Sequence, residues 1–197
     1  MNLALFDFDG TITKNDSLTR FLLRSTNTIT KVKVFLSQLH WILGYKMGIV
    51  PTSLIRVKLI QKVFNNADED LILKLGKIYA KKQIPKIIRK KAKKKLKWHK
   101  KNGDKIVCVS ASLNVYLKEW CRKEGIELIC NTLEVKDGRF TGELVDGDCY
   151  GEEKQKRVLE KYELNDFEKI YAYGDTEEDK ELLSIADIKY YKWKKLN

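Results

Sequence analysis

The chain opens on a short apolar run, residues 3–8, that stops at Gly10-Thr11. A short apolar run with aromatic content, followed by a breaker pair, predicts a buried strand running into a turn. From residue 15 to about 101 the period becomes helical, with start signals at Asn15-Asp16, at Pro51 followed by Thr52 and Ser53, at Asp68-Glu69-Asp70 and at Pro85. Roughly four or five helices and no strand are expected there. Asn102-Gly103 stops the last of them, and residues 105–110 return to the buried-strand pattern. Beyond that point helix and strand alternate: a helix over 113–123, a strand over 126–130, and a hairpin with arms 133–135 and 140–144 around Asp137-Gly138. A helix over 152–162, a strand over 169–173, a helix over 177–185 and a last strand over 188–191 complete the pattern.

Strands alternating with helices imply an α/β fold built from right-handed parallel βαβ units, in which ligands gather at the carboxyl ends of the strands. That rule selects the candidates for chemistry. Asp7 and Asp9 end the first strand, Ser110 ends the second, and Gly174-Asp175 follow the strand at 169–173. Polar residues from three distant places are expected on one edge of the sheet.

Composition narrows the picture. A chain of 197 residues that is 43% hydrophobic fills one medium domain, or a core with a sizeable insertion, and wholesale disorder is excluded. Residues 1–6 lack the basic start, long apolar run and cleavage site of a signal peptide, so a cytoplasmic location is expected. The apolar stretch 35–50 is interrupted by Gln38, His40 and Lys46, and no transmembrane segment is predicted. Four cysteines form no CxxC pair and do not cluster with His40 or His99, which argues for free thiols rather than a zinc site.

The net charge of +12 favours an anionic partner, whether a phosphorylated metabolite, nucleic acid or an acidic membrane surface, and does not choose among them. In the most basic stretch, 81–101, Ile84, Ile87, Ile88, Ala92 and Leu96 recur at helical spacing, which leaves the lysines on a solvated face. Trp98 and His99 are expected to pack rather than stack on a base. Phe35, Leu39, Trp41, Ile42 and Leu43 form an apolar patch, read as core of the inserted segment ahead of a dimer surface or a seat for a lipid chain.

Asp7 and Asp9 stand at i and i+2, so both carboxylates face one side of an extended chain while Phe6 and Phe8 face the other. One carboxylate can attack phosphorus; the other can protonate the leaving oxygen and then activate water. Two carboxylates beside a phosphate dianion call for a hard divalent cation, magnesium being the natural choice, with Asp175 placed to complete its ligands. Ser110 offers a hydroxyl and nearby N–H groups, in a position that also suits a helix N-cap, and a lysine supplies positive charge.

At these residues the sequence resembles a known family. Phe6-Asp7-Phe8-Asp9-Gly10-Thr11 looks like the first motif of the haloacid dehalogenase (HAD) superfamily in its phosphatase form, and Gly174-Asp175-Thr176-Glu177-Glu178-Asp179 like the fourth. Val109-Ser110-Ala111-Ser112 resembles the second, and Cys149-Tyr150-Gly151-Glu152-Glu153-Lys154 the third. The resemblance implies a Rossmann-like parallel-sheet core over 1–14 and 102–197, a helical cap of C1 type over 15–101, and a small β-hairpin. It further implies a phosphoric monoester hydrolase of subfamily IB, similar to phosphoserine phosphatase. In that likeness Asp7 is the nucleophile and Asp9 the general acid/base. Ser110 and Lys154 bind the phosphoryl group, with Lys156 the alternative lysine. Asp7, Asp9 through its backbone carbonyl, and Asp175 are the Mg2+ ligands. Asp179 either starts a helix as part of a capping box or stands behind the metal or the lysine.

Phosphoserine phosphatases carry a glutamate seven residues after the acid/base aspartate, where this chain has Asp16. Arg56 is the candidate for a substrate carboxylate. The expected substrate is a small phosphorylated metabolite. Phosphoserine itself, or a role at nucleic acid or a membrane surface, are the alternatives.

Overall fold

The computed structural model describes residues 1–26, 36, 43, 47, 48 and 50–196. β1 (Leu3–Phe6) is wholly buried and runs into a wide turn over Phe8–Ile12, closed where the Thr13 N–H donates to the Phe8 carbonyl at 2.9 Å. Then come α1 (Ser17–Ser25), α2 (Thr52–Phe64), β2 (Ala67–Asp68), α3 (Glu69–Lys82), the one-turn α4 (Ile84–Ile87) and α5 (Lys90–Lys101). The second half holds β3 (Lys105–Leu113), α6 (Asn114–Glu124), β4 (Glu127–Asn131), β5 (Leu133–Lys136) and β6 (Arg139–Leu144). It ends with α7 (Glu152–Lys161), β7 (Ile170–Gly174), α8 (Lys180–Ser184), β8 (Ile188–Tyr191) and β9 (Lys194–Lys195).

The main sheet has the order β4-β3-β1-β7-β8-β9, parallel except at β9. β1 lies inside it, with Ala4 and Phe6 in one core cluster and Leu3 and Leu5 in the other. Burial on both faces is why its sequence is continuously apolar. Phe6 pairs level with Cys108 and Tyr173, so Asp7 emerges beside the ends of β3 and β7.

The insertion contains helices, as the period requires. Asp16 caps α1 by accepting the N–H groups of Leu18 and Thr19, and Asp68 caps α3 through Leu71. It also contains a strand that was not expected: β2 pairs antiparallel with β6. Two residues carry no period, which hides such a strand from the sequence. Asp137 and Gly138, at φ 52° and 72°, form the hairpin turn between β5 and β6. Because β6 pairs with β2 and packs on α2, the hairpin belongs with the cap helices.

Three further details differ from expectation. β3 does not stop at Ser110 but runs to Leu113 through a register shift, so α6 starts later and Ser110 is not its N-cap. Only 180–184 of the expected helix over 177–185 is α-helix, after a single 3-10 turn at Glu177–Asp179. β8 turns back into β9 through Lys192 and Trp193, both at positive φ without the usual glycine. α5 buries Ala92, Leu96 and His99, and its lysines point outward. His99 meets the rings of Phe6, Tyr171 and Tyr173 at centroid distances of 5.7, 5.0 and 5.8 Å. α5 therefore lies against the sheet, and we place the return from the cap at residues 87–89 rather than at 101.

Trp98 packs edge-on to Tyr171, with the Lys95 Nζ over its ring at 4.4 Å. The four cysteines are unpaired, and all but Cys130 are buried. No described helix is long and apolar enough to cross a membrane. Phe35, Leu39, His40, Trp41 and Ile42 fall outside the described residues, while Leu43 is exposed.

His99 ties α5 to the sheet. Asp104 can only accept, so the His99 Nδ1–H donates to it at 2.8 Å and Nε2 accepts from the Tyr173 hydroxyl at 2.9 Å, as a neutral imidazole does. Burial pushes the imidazole below its usual pKa, against the pull of Asp104. The unfolded chain then binds this proton near pH ~6.5 while the folded chain does not, so stability falls as pH drops through that value. Denaturant melts at pH 7.5 and 5.5 should show a smaller acid loss in His99→Gln than in the parent. Equal losses would assign the pH dependence elsewhere.

Candidate active site

Asp7 is 5% exposed, and its Oδ1 accepts a hydrogen bond from Lys154 Nζ at 2.7 Å. Its Oδ2 is buried with no hydrogen-bond partner among the described residues. Lys154, in the first turn of α7, is equally buried and donates a second bond to Asp179 Oδ1 at 2.6 Å. Lys156 instead points to solvent and pairs with Glu153 and Glu160, so Lys154 is the lysine brought to Asp7. Asp179 uses its two oxygens differently. Its Oδ2 accepts from the N–H groups of Asp175 and Thr176 in a capping box, while Oδ1 holds the lysine.

Asp175 is held by the Thr11 hydroxyl, which donates to its Oδ1 at 2.9 Å. Close approach requires glycine on both flanks. Gly10 has φ 86°, and a Cβ there would lie 2.2 Å from Asp175 Oδ2; a Cβ on Gly174 would lie 2.4 Å from that of Asp179. Oxygens of Asp7, Asp175 and Asp179 lie within 4.8 Å of one another. Both Asp179 oxygens are already engaged, which leaves Asp7 and Asp175 as the carboxylates open to a cation.

Burial raises the pKa of Asp7, with the neighbouring carboxylates adding to it and Lys154 opposing. Asp175 is raised chiefly by burial as well. Burial also disfavours the Lys154 cation, but Asp7 and Asp179 outweigh it and hold the ammonium charged. A surplus of buried negative charge beside one lysine is the electrostatic setting of a cation site.

Asp9 has a different environment. Its Oδ1 accepts from the Ser17 N–H at 2.7 Å, and its Oδ2 from the hydroxyls of Ser17 and Ser112. Tyr116 bonds the Ser17 hydroxyl at 3.0 Å, and Tyr79 donates to the Ser17 carbonyl at 3.0 Å. Burial, then the Asp16 charge, push the Asp9 carboxyl up to about 6. Arg89 grips the same turn from outside, its Nε donating to the Gly10 and Thr13 carbonyls at 2.7 and 2.9 Å. Sequence reasoning gave no role to Thr11, Ser17, Arg89, Ser112 or Tyr116. Only Thr11 and Ser112 carried a signal, as members of the first and second motif-like segments.

Ser110, 1% exposed, accepts from the Ser112 N–H at 3.0 Å and lines a cavity of about 350 Å³ with Asp7, Asp9 and Lys154. Asp16 and Arg56 line the same cavity from the cap side. Asp16 is occupied as the α1 cap; Arg56 pairs with Asp148 at 3.0 Å and Glu178 at 3.4 Å.

Comparison with known proteins identifies the family and the fold. The family model of haloacid dehalogenase-like hydrolases matches residues 4–184. Protein CicA of Caulobacter vibrioides is 28% identical over 195 residues, spanning 96% of this chain and 85% of that protein. A crystal structure of a Bordetella pertussis Tohama I protein of unknown function superposes with a TM-score of 0.81 at 22% identity, over 96% of this chain and 89% of the other. A substrate-bound phosphoserine phosphatase superposes with a TM-score of 0.66 at 20% identity, over 96% and 84%. With the match to the family model running from β1 through α8, the chain belongs to the haloacid dehalogenase-like hydrolases.

Proposed function

We propose that the chain is a magnesium-dependent phosphatase that hydrolyses a small phosphate monoester through a phospho-aspartate on Asp7. One observation carries the proposal. At the carboxyl end of β1, Asp7 is buried with one oxygen held by Lys154 and the other left without a partner beside Asp175. Asp7 attacks phosphorus, and as the new O–P bond forms the ester P–O bond breaks. Asp9 gives its proton to the departing alkoxide, which leaves as the alcohol. Asp9 then takes a proton from the water that attacks the acyl phosphate, and inorganic phosphate and free Asp7 result. A carboxyl that titrates near 6 suits both halves of that exchange at neutral pH. The Ser110 hydroxyl and the Lys154 ammonium hold the phosphoryl oxygens, and Asp179 keeps the lysine in place.

The donor set is made of hard oxygens with surplus negative charge, which fits magnesium. Asp7, Asp175 and the Asp9 backbone carbonyl would hold it, and when bound it would neutralise charge on the phosphoryl group.

The test is to quench the protein in acid during turnover of acetyl phosphate with Mg2+ and map the modified peptide by mass spectrometry. One phosphoryl group on the peptide containing Asp7 is expected, with turnover falling about a hundredfold in EDTA and returning with Mg2+. Full activity in EDTA, or phosphate on another peptide, would refute the mechanism.

A further inference from the structure

The cavity beside Asp7 extends toward the cap, where its walls change character. Leu18 and Leu22 from α1 and Ile55 and Leu59 from α2 line it. Each pair stands at i and i+4, so each helix presents a two-rung apolar face to the space next to the phosphoryl end. Ile55 belongs to neither core cluster among the described residues, and the cavity is what it faces. The hydroxyls of Thr19 and Thr52 are the uncharged polar groups that the cap contributes.

Among the described residues, the cation that an amino-acid carboxylate would require is already matched. Apart from Lys154, Arg56 is the one cation among the described lining residues, and its guanidinium is shared between Asp148 and Glu178 and lies over the Tyr150 ring at 5.0 Å. A substrate carboxylate would have to displace one of those acids and leave it half-buried without its partner. On the anionic side, Asp16 Oδ1 accepts two backbone N–H groups at the start of α1. Among the described residues, the arrangement leaves a substrate carboxylate no unpaired cation besides Lys154 and offers methylenes an apolar wall.

We infer that the substrate is a phosphate monoester of an uncharged alcohol with an apolar carbon skeleton, whose chain lies between the Leu18-Leu22 and Ile55-Leu59 faces. The inference rests on the phosphatase reading above. The P–O bond to the alcohol breaks, and the product released into the cavity is a neutral alcohol, with its proton supplied by Asp9.

Methyl, butyl and hexyl phosphate and O-phosphoserine, each assayed with Mg2+, separate the possibilities. The alkyl leaving groups differ little in basicity, so the trend reports contact with the wall. The specificity constant kcat/KM should rise by about fourfold for each added methylene, the value of burying one CH2, with O-phosphoserine below butyl phosphate. Ile55→Asn should flatten that slope, with the methyl ester as internal reference. A flat series, or O-phosphoserine ahead of hexyl phosphate, overturns the inference while leaving the Asp7 chemistry standing. No turnover of any ester together with no phosphoryl group on Asp7 overturns both.

Discussion

Asp7→Asn is expected to lower turnover by about 10⁴-fold or more and to eliminate the phosphoryl adduct on the peptide that contains residue 7. An amide oxygen is a poor nucleophile toward phosphorus, and nothing else on the described wall stands where Asp7 stands. The fold should survive. The amide oxygen can still accept from Lys154, and the lysine keeps its bond to Asp179. The substitution also removes a carboxylate whose ionisation is disfavoured by burial and by Asp179 and Asp9. Melting within a few degrees of the parent is therefore predicted, measured alongside steady-state rates and phosphopeptide mapping. Parent-like, magnesium-dependent activity in this variant would rule out a covalent intermediate on Asp7.

Lys154→Met should cost stability as well as activity. The ammonium is the shared partner of Asp7 and Asp179, all three nearly inaccessible to solvent. Removing one member of a buried ion cluster leaves uncompensated charge and typically costs about 3–5 kcal/mol. The loss should shrink as pH falls. The folded-state pKa of Asp7 is already raised, so acid protonates it in the fold before it does so in the unfolded chain, and protonation stabilises the native state. Urea melts of parent and variant at several pH values read both effects. A loss under about 1 kcal/mol, or one that grows on acidification, would mean that the lysine is not the electrostatic partner described. Lys154→Arg is not expected to rescue, because the larger planar group has no room in so enclosed a place.

Much of the site was legible because α/β geometry converts sequence pattern into position. An apolar run ending in Asp7-Phe8-Asp9 and another ending in Gly174-Asp175 must deliver their polar residues to one edge once the strands are parallel neighbours, as β1 and β7 are. The surroundings of Asp9 were not legible in the same way. Ser17, Ser112 and Tyr116 come from α1, β3 and α6; Ser112 stands in a motif-like segment, but nothing in the sequence around Ser17 or Tyr116 announces that the three meet. The partners of Arg56 lie 92 and 122 residues away, so its neutralisation has no local trace. β2 and β9 were missed because two residues cannot display a period, and the extension of β3 because a register shift interrupts the one it has.

The cap leaves and rejoins the core at a single point. Thr13 and Ile88 form an antiparallel bridge, Lys14 donates to Ile87, Arg89 donates to Ile12, and the Arg89 side chain reaches the turn that carries Asp9. With its two ends fastened side by side, the intervening chain is a closed excursion whose length hardly alters the entropy of joining them. Residues within it can therefore be added, removed or exchanged at little entropic cost to the turn beneath, which carries Asp7 and Asp9.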